Sequence, residues 1–542
     1  MDELRSPVAA PVARHDAFDG LTVLGRRGGL VAIVAGLALS FVLFGYFVIY
    51  WRNADMDFMV IHSALAMNDG KPQYFFDHTA YLTILSVKYW FQFLHALGLL
   101  DAWSLSSMPP ASDAAAFDAA MTHAVHAGRI LVFLISIASV LIFAALMRAA
   151  VRDWRVALMA TNAFAFSGGV AVHSRILRSE FLAAMPVIFA FLILIVAGRR
   201  ASPTRPLAIG LAAALCILGL ENKVQAILLI GVLPLAVLPF GSAESASVAF
   251  WRGTLAAWLA TAMAAIIAGL AASVASPLIA TGLDRTLLEA ADFRPLLMGR
   301  FGVYQVALMV LTGICMIGYA AIWRVSVAEA LASMFAVVAA ASIALLLLDL
   351  QYDAGNVIAV GNPLEKMLTF ADAATNDAAS ASGPSAMLGL LLEGLGSVLA
   401  RYSFVLHPSA RPTVLLSWLI VPGIVVVWRR GERLAAFQAL ILLLAAVGID
   451  TLGVRRGLKS EYFIFTDPLI VISGAVLLDR LPDLRFARYT YAIGTALLVA
   501  HLIVGQAEPA KHAFKVTGPE SICEWNTHYM PLLPLPWCPA RS

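Results

Sequence analysis

Charge is scarce in this chain. Only 13% of its 542 residues are Asp, Glu, Lys or Arg, against roughly 25% in soluble domains. Hydrophobic residues make up 61%, and mean hydropathy is +0.84. A water-soluble enzyme is excluded, and so is disorder, which needs the opposite composition. The formal net charge of +3 is too small to suggest a nucleic-acid partner. Cysteine is also rare, at four residues. Cys216 and Cys315 fall inside apolar runs, where a thiol is a small buried hydrophobe. Walker, GxGxxG, HExxH and CxxC motifs are absent. So are internal repeats and matched pairs of short, Gly/Pro-interrupted spans, which argues against a secondary transporter.

What the sequence has instead is a series of apolar runs of about 20 residues. These define an all-α polytopic membrane protein, because only satisfied helices cross lipid in this pattern. The runs predict about thirteen spans, near 29–50, 129–147, 156–172, 181–198, 206–220, 224–240, 254–276, 302–323, 328–348, 412–428, 434–449, 463–478 and 489–504. The pair 206–220 and 224–240 also fits a re-entrant arrangement. The first run is too long for a signal-peptide h-region and reads as a retained span. Apolar stretches at 81–100, which carries Lys88 and His95, and at 386–400 read as interfacial helices. The segment 371–387 reads as a lid or a disordered loop.

Sidedness follows from cations. Cytoplasmic placement of residues 1–28, with Arg5, Arg14, Arg26 and Arg27, makes Lys and Arg about three times denser in the inside loops than outside. The transmembrane domain then covers 29–504, with long outer loops at 51–127 and 349–411. Residues 505–542 form an outer, periplasmic tail. There Cys523 and Cys538 form a disulfide or remain two free thiols. Ala- and Arg-rich usage suggests a bacterial inner membrane. Long loops on one face put the chemistry on that face.

Five polar clusters lie on that outer side. Asp55 and Asp57 open the first loop; such a pair deprotonates an acceptor hydroxyl, holds a divalent cation, or simply decorates a solvated loop start. Asp77 and His78 are an orienting pair or a structural one. His173, Arg175, Arg178 and Glu180 crowd a short loop; the arginines suit a phosphate, or an Arg–Glu pair closes two helix ends. Glu221, Asn222, Lys223 and Gln225 form a polar knot in which Lys223 reaches a phosphate or snorkels. Arg455, Arg456 and Lys459 run against the positive-inside trend just before Tyr462, which favours an anionic ligand.

These motifs, in this order, resemble GT-C-type membrane glycosyltransferases, a group similar to the dolichyl-phosphate-mannose–protein mannosyltransferases and the bacterial lipid A aminoarabinose transferase. The resemblance runs through Asp55 and Asp57, Ala64-Leu65-Ala66, Gly70 and Tyr74-Phe75-Phe76-Asp77-His78. It continues in Leu177-Arg178-Ser179-Glu180, Lys223-Val224-Gln225 and Lys459-Ser460-Glu461-Tyr462. Thr79-Ala80 replace the Pro and Gly that follow the histidine in that group. The resemblance implies transfer of a sugar from a polyprenyl-phosphate donor to an acceptor hydroxyl on a lipid, glycan or protein. Asp57, favoured over Asp55 by its distance to Gly70, would be the base. Arg175, Arg178, Lys223, Arg455, Arg456 and Lys459 would hold the donor phosphate. His78, Asp77, His173, Glu180 and Tyr462 would bind or orient substrate. No cofactor is implied, although Asp55 and Asp57 leave Mg or Mn open. The rival readings are a flippase or transporter of lipid-linked saccharides, and a non-catalytic subunit of an envelope-synthesis complex.

Overall fold

A computed structural model describes residues 19–71, 80–198, 204–223, 225–238, 318–319, 322–323, 325–352, 384–403, 413–453, 460–481, 487–514, 518–523 and 530–538. These contain helices and no strand. The N-terminal half comprises α1 (Asp19–Phe41), α2 (Ala54–Asn68), α3 (Tyr81–Ala96), α4 (Ala114–Ala150), α5 (Trp154–Ala165) and α6 (Gly168–His173), then α7 (Ser179–Gly198), α8 (Arg205–Asn222) and α9 (Ala226–Ile230). The C-terminal half comprises α10 (Val327–Tyr352), α11 (Pro384–Ser403), α12 (Val414–Arg429), α13 (Arg433–Gly453), α14 (Asp467–Leu478), α15 (Ala487–Gly505) and α16 (Ala507–Phe514).

Five helices among the described residues are long and apolar enough to cross a membrane: Arg27–Tyr46, Ala114–Ala150, Ser179–Gly198, Arg205–Asn222 and Arg433–Thr451. The expected span at 254–276 and nearly all of 302–323 lie outside the described residues, so the figure of thirteen rests on the sequence. Three expected spans are broken. The run 224–240 is a five-residue helix followed by the 3₁₀ turn Leu233–Val237, because Pro234 cannot continue a helical ladder. The run 156–172 divides into α5 and α6 where the Ser167 hydroxyl accepts from the Val170 N–H and starts a new helix. The run 463–478 divides into the 3₁₀ turn Ser460–Phe465 and α14, which begins Asp467-Pro468. The two apolar stretches read as interfacial are helical, as α3 and α11.

The helix α4 has 37 residues, about 55 Å at 1.5 Å per residue, against a hydrocarbon thickness of about 30 Å. It is therefore longer than one span requires, and Asp113 caps its start by accepting from the Ala116 N–H at 3.0 Å. Two cores form along this length. One, among α4, α5, α7, α13 and α14, is built of Ala, Val, Leu, Ile and Phe. The other joins the first loop to the C-terminal tail: Tyr50, Phe58, Phe91 and Phe117 pack with Ile522, Met530, Leu533 and Leu535. Cys523 and Cys538 are bonded as a disulfide with Cα atoms 5.3 Å apart, so the tail is closed on itself where it meets that core.

Polar contacts gather in two layers. At the end the sequence assigns to the cytoplasm, Asp479 accepts from the Arg152 N–H at 2.7 Å and the Asp153 N–H at 3.2 Å. Arg480 lies 3.7 Å from Glu432 in the same layer. The opposite layer holds the end of α1, the start of α2, the α6–α7 connection, the end of α8 and the 3₁₀ turn before α14.

Candidate functional site

The outer layer is organised around a short connection, residues 174–178, between α6 and α7. Gly169 in α6 is where the backbone of Ile464 comes closest; a Cβ there would overlap it. That close approach lays the 460–465 turn directly on α6. The Gly169 N–H donates to Asp467 Oδ2 at 3.2 Å, and the Thr413 hydroxyl donates to Asp467 Oδ1 at 2.9 Å. Asp450 accepts from the Tyr402 and Thr466 hydroxyls at 2.8 and 2.9 Å. Two buried carboxylates thus lock α6, α11, α12, α13 and α14 to one another.

At the start of α7, Glu180 is fully buried. A carboxylate there is tolerable only if paired, and it is. Lys223 Nζ donates to Oε1 at 2.6 Å, and Arg178 Nε and Nη2 lie 3.3 Å from Oε2 and Oε1. His173 Nδ1 is 2.6 Å from the Gly169 carbonyl oxygen, which assigns the proton to Nδ1, while Nε2 stands 3.9 Å from Glu180. Lys223 also lies over the Tyr462 ring, 5.7 Å from its centroid. Asn222 ties the adjacent strand of chain together. Its side-chain nitrogen donates to the Ser179 carbonyl oxygen, and its side-chain oxygen accepts from the Thr83 N–H and hydroxyl at 3.1 and 3.2 Å. Its carbonyl oxygen accepts from the Ala80 N–H at 2.9 Å, where Ala80 holds a left-handed φ of 50°.

Asp57 reaches the same connection from α2. It is buried, and Arg129 of α4 donates to its Oδ2 from Nη2 at 2.7 Å and from Nε at 3.1 Å. Oδ1 accepts from the Leu177 N–H at 2.8 Å. The rest of the Arg129 guanidinium donates to the carbonyl oxygens of Gly45, Tyr46 and Val48, where α1 ends in a π-turn over Val42–Tyr46. Arg129 is the first residue of the apolar run 129–147 and is not among the candidate residues singled out above. Its signal was a lone cation at the start of a long apolar run, which lipid does not tolerate unpaired. Asp57 thus accepts three hydrogen bonds from protein donors, two at Oδ2 and one at Oδ1.

Arg175 is different. It is buried, yet its partners are neutral: the Ser40 hydroxyl and carbonyl oxygen, and the Gln506 side-chain oxygen at 2.7 Å. Its Nη1 and the neighbouring Gln506 Nε2 are buried without a hydrogen-bond partner. Burial alone pushes the guanidinium down to about 9. Its stem packs against Gly45, so it lies beside the π-turn that Arg129 also holds.

The structure therefore brings together Asp57, His173, Arg175, Arg178, Glu180, Lys223 and Tyr462 around residues 174–178. It separates Arg175 from the Glu180 cluster by giving it Ser40 and Gln506 as partners. Asp77, His78, Arg455, Arg456, Lys459 and the side chain of Asp55 lie outside the described residues. Among the described residues no group of three or more His, Cys, Asp or Glu could hold a metal ion.

These features define an all-helical membrane protein with a polar layer at one end of its bundle. No family model matches the chain, and no curated protein matches it. Among solved structures it is similar to the archaeal oligosaccharyltransferase AglB from Archaeoglobus fulgidus, in complex with an inhibitory peptide and a dolichol-phosphate. The TM-score is 0.43, with 11% identity over 95% of this chain. The chain spans 60% of the length of that structure.

Proposed function

We propose that this protein is a membrane glycosyltransferase that moves a sugar from a polyprenyl-phosphate carrier to an acceptor hydroxyl, on the periplasmic face of a bacterial inner membrane. The observation that carries the reading is the meeting of three distant parts of the chain at residues 174–178: an acid of the first loop, cations of the middle, and the turn before α14. A lipid-borne donor enters sideways, so its reacting bond lies at the membrane boundary, which suits a polar layer at one end of an apolar bundle. In the reaction, a carboxylate takes the proton of the acceptor hydroxyl and the freed oxygen attacks the anomeric carbon. The bond from that carbon to the phosphate oxygen breaks, and its electron pair leaves with the polyprenyl phosphate. Arg175 is the cation suited to that phosphate, since its partners are neutral and it has an unused donor beside a second one on Gln506. Arg178 and Lys223 frame the site with Glu180 between them. Asp55, on the first turn of α2, is the carboxylate we assign as base, because Asp57 is spent on Arg129 and Leu177.

The test is transfer in proteoliposomes containing the full-length protein, a labelled polyprenyl-phosphate sugar and an envelope extract as acceptor. Transfer is expected to fall at least a hundredfold in Asp55→Asn and in Arg175→Met, the scale of losing one transition-state contact. Full transfer by both variants overturns the reading.

A further inference from the structure

One of the cavities that the mechanism above leaves unused is lined by aromatic and polar side chains. It has a volume of about 220 Å³ and sits between the segment after the π-turn and the first turns of α4. Its walls include Phe47, Tyr50, Trp51, Asp118, Thr122 and His126. The geometry points to a binding site for a neutral saccharide ring.

Three properties argue for that class. The first is shape and surface. The cavity is smaller than the roughly 300–1,000 Å³ of pockets for drug-sized ligands, which suits one compact ring. Three aromatic rings line it, and their electron-rich faces favour the weakly positive C–H face of a sugar over a fully polar solute. The second is the polar set. Asp118 is an acceptor-only carboxylate with several lone pairs, Thr122 both donates and accepts, and His126 adds a ring nitrogen. The Tyr50 hydroxyl donates to Asp118 Oδ1 at 2.6 Å, which fixes the carboxylate. Burial and the Asp118 charge push the Tyr50 hydroxyl upward, so it remains a donor. Hydroxyl groups of a sugar donate to an ionised carboxylate strongly. The third is sign. Among the described residues the lining holds a carboxylate and neither Lys nor Arg, so a uronic acid or a sugar phosphate would be repelled.

The cavity is also preformed. Arg129 holds the carbonyl oxygens of Gly45, Tyr46 and Val48, which fixes one wall to α4. The His126 ring stacks on Tyr46, with centroids 4.3 Å apart. Trp537 of the tail backs both Tyr50 and Trp51, at 6.1 and 6.2 Å between centroids. Phe47 is 70% exposed at the rim, so the site is open to the outside. Under the transferase reading this ring is the acceptor sugar, and that role rests on the reading; the binding itself does not.

The experiment is a titration of the purified full-length protein in nanodiscs, without any donor lipid. The probes are a panel of neutral mono- and disaccharides with glucuronic and galacturonic acid, read by saturation-transfer NMR. At least one neutral sugar is expected to saturate, and Thr122→Met, which fills the cavity, and Asp118→Asn are each expected to weaken it about tenfold or more. The uronic acids are expected to bind about tenfold more weakly than the best neutral sugar, since like charges repel. Failure of the whole panel to saturate by about 100 mM, a limit above ordinary millimolar recognition, overturns the proposal. So does unchanged affinity in Asp118→Asn, or a uronic acid binding as well as the neutral sugars. Melting curves are run on both variants, and if Thr122→Met fails to fold, Asp118→Asn decides. Donor turnover is measured separately, so a wild-type protein that turns over donor but binds no sugar of the panel sinks this inference alone, and one that binds sugar without turnover sinks only the transferase reading.

Discussion

Asp57 and Arg129, 72 positions apart, form a fully buried ion pair with Nη2 2.7 Å from Oδ2. The pair joins α2 to α4 and, through the Leu177 N–H, to the connection on which the outer layer is built. Removing one partner strands a charge where water does not reach. Arg129→Met is therefore expected to cost about 3–5 kcal/mol, and Asp57→Asn somewhat less because the amide still accepts one bond. Urea or thermal unfolding in detergent checks this. If Asp57→Asn melts like the wild type and yet loses transfer, the anchor assignment is wrong and Asp57 is the base.

Arg175 reverses that logic. A buried guanidinium whose partners are all neutral lowers stability, and stored instability of this kind belongs to sites that await a ligand. Arg175→Met is expected to melt no lower than the wild type. Added polyprenyl phosphate should raise the melting temperature of the wild type and leave that of the variant in place. A variant several degrees less stable in the absence of lipid would show that Arg175 is a structural residue.

Acid should loosen the first loop before it loosens the bundle. His62 in α2 is buried, and burial, with Lys71 nearby, lowers it to about 4. Below about pH 6.5 the unfolded chain takes up a proton that the folded chain refuses. Stability present above pH 6.5 is therefore lost as pH falls toward 4, by up to about 3 kcal/mol. His62→Phe should flatten this part of the profile. Hydrogen exchange across α2 between pH 7 and pH 4.5 is the measurement, and parallel profiles for variant and wild type would refute the assignment.

The Cys523–Cys538 bond closes a 15-residue separation, for which loop entropy gives about 3 kcal/mol. Reduction, or the double variant Cys523→Ser and Cys538→Ser, is expected to release residues 530–538 from Tyr50 and Trp51. Proteolysis of the tail and red-shifted tryptophan emission report it. A tail equally protected with and without reductant would mean that apolar packing alone holds it.

Much of this was legible in the sequence, for reasons that differ by residue. Helical membrane class followed from composition, because lipid leaves few alternatives. Glu180, Arg178 and Lys223 stood out because ionisable groups at a span edge need partners, and they found one another. The mutual commitment of Asp57 and Arg129 was not legible. Spacing along the chain says nothing about which of two carboxylates two residues apart pairs with an arginine 72 residues later. The broken spans were half legible: Pro234 and Pro468 mark their places, but apolar content alone ran straight through them. Asp450 and Asp467 drew no notice because each stands alone, one at the end of the apolar run 434–449 and one inside the run 463–478, with no second ionisable residue beside it. Arg175 appeared as one of several interchangeable cations, and only burial set it apart.

The tail that seats against Tyr50 and Phe58 imposes an order of assembly. The wall behind Trp51 is supplied by residue 537, so the segment 47–51 stays incomplete until nearly five hundred further residues have been made and the two late thiols joined. A chain halted short of residue 530 would form its helices and still lack the back of that cavity.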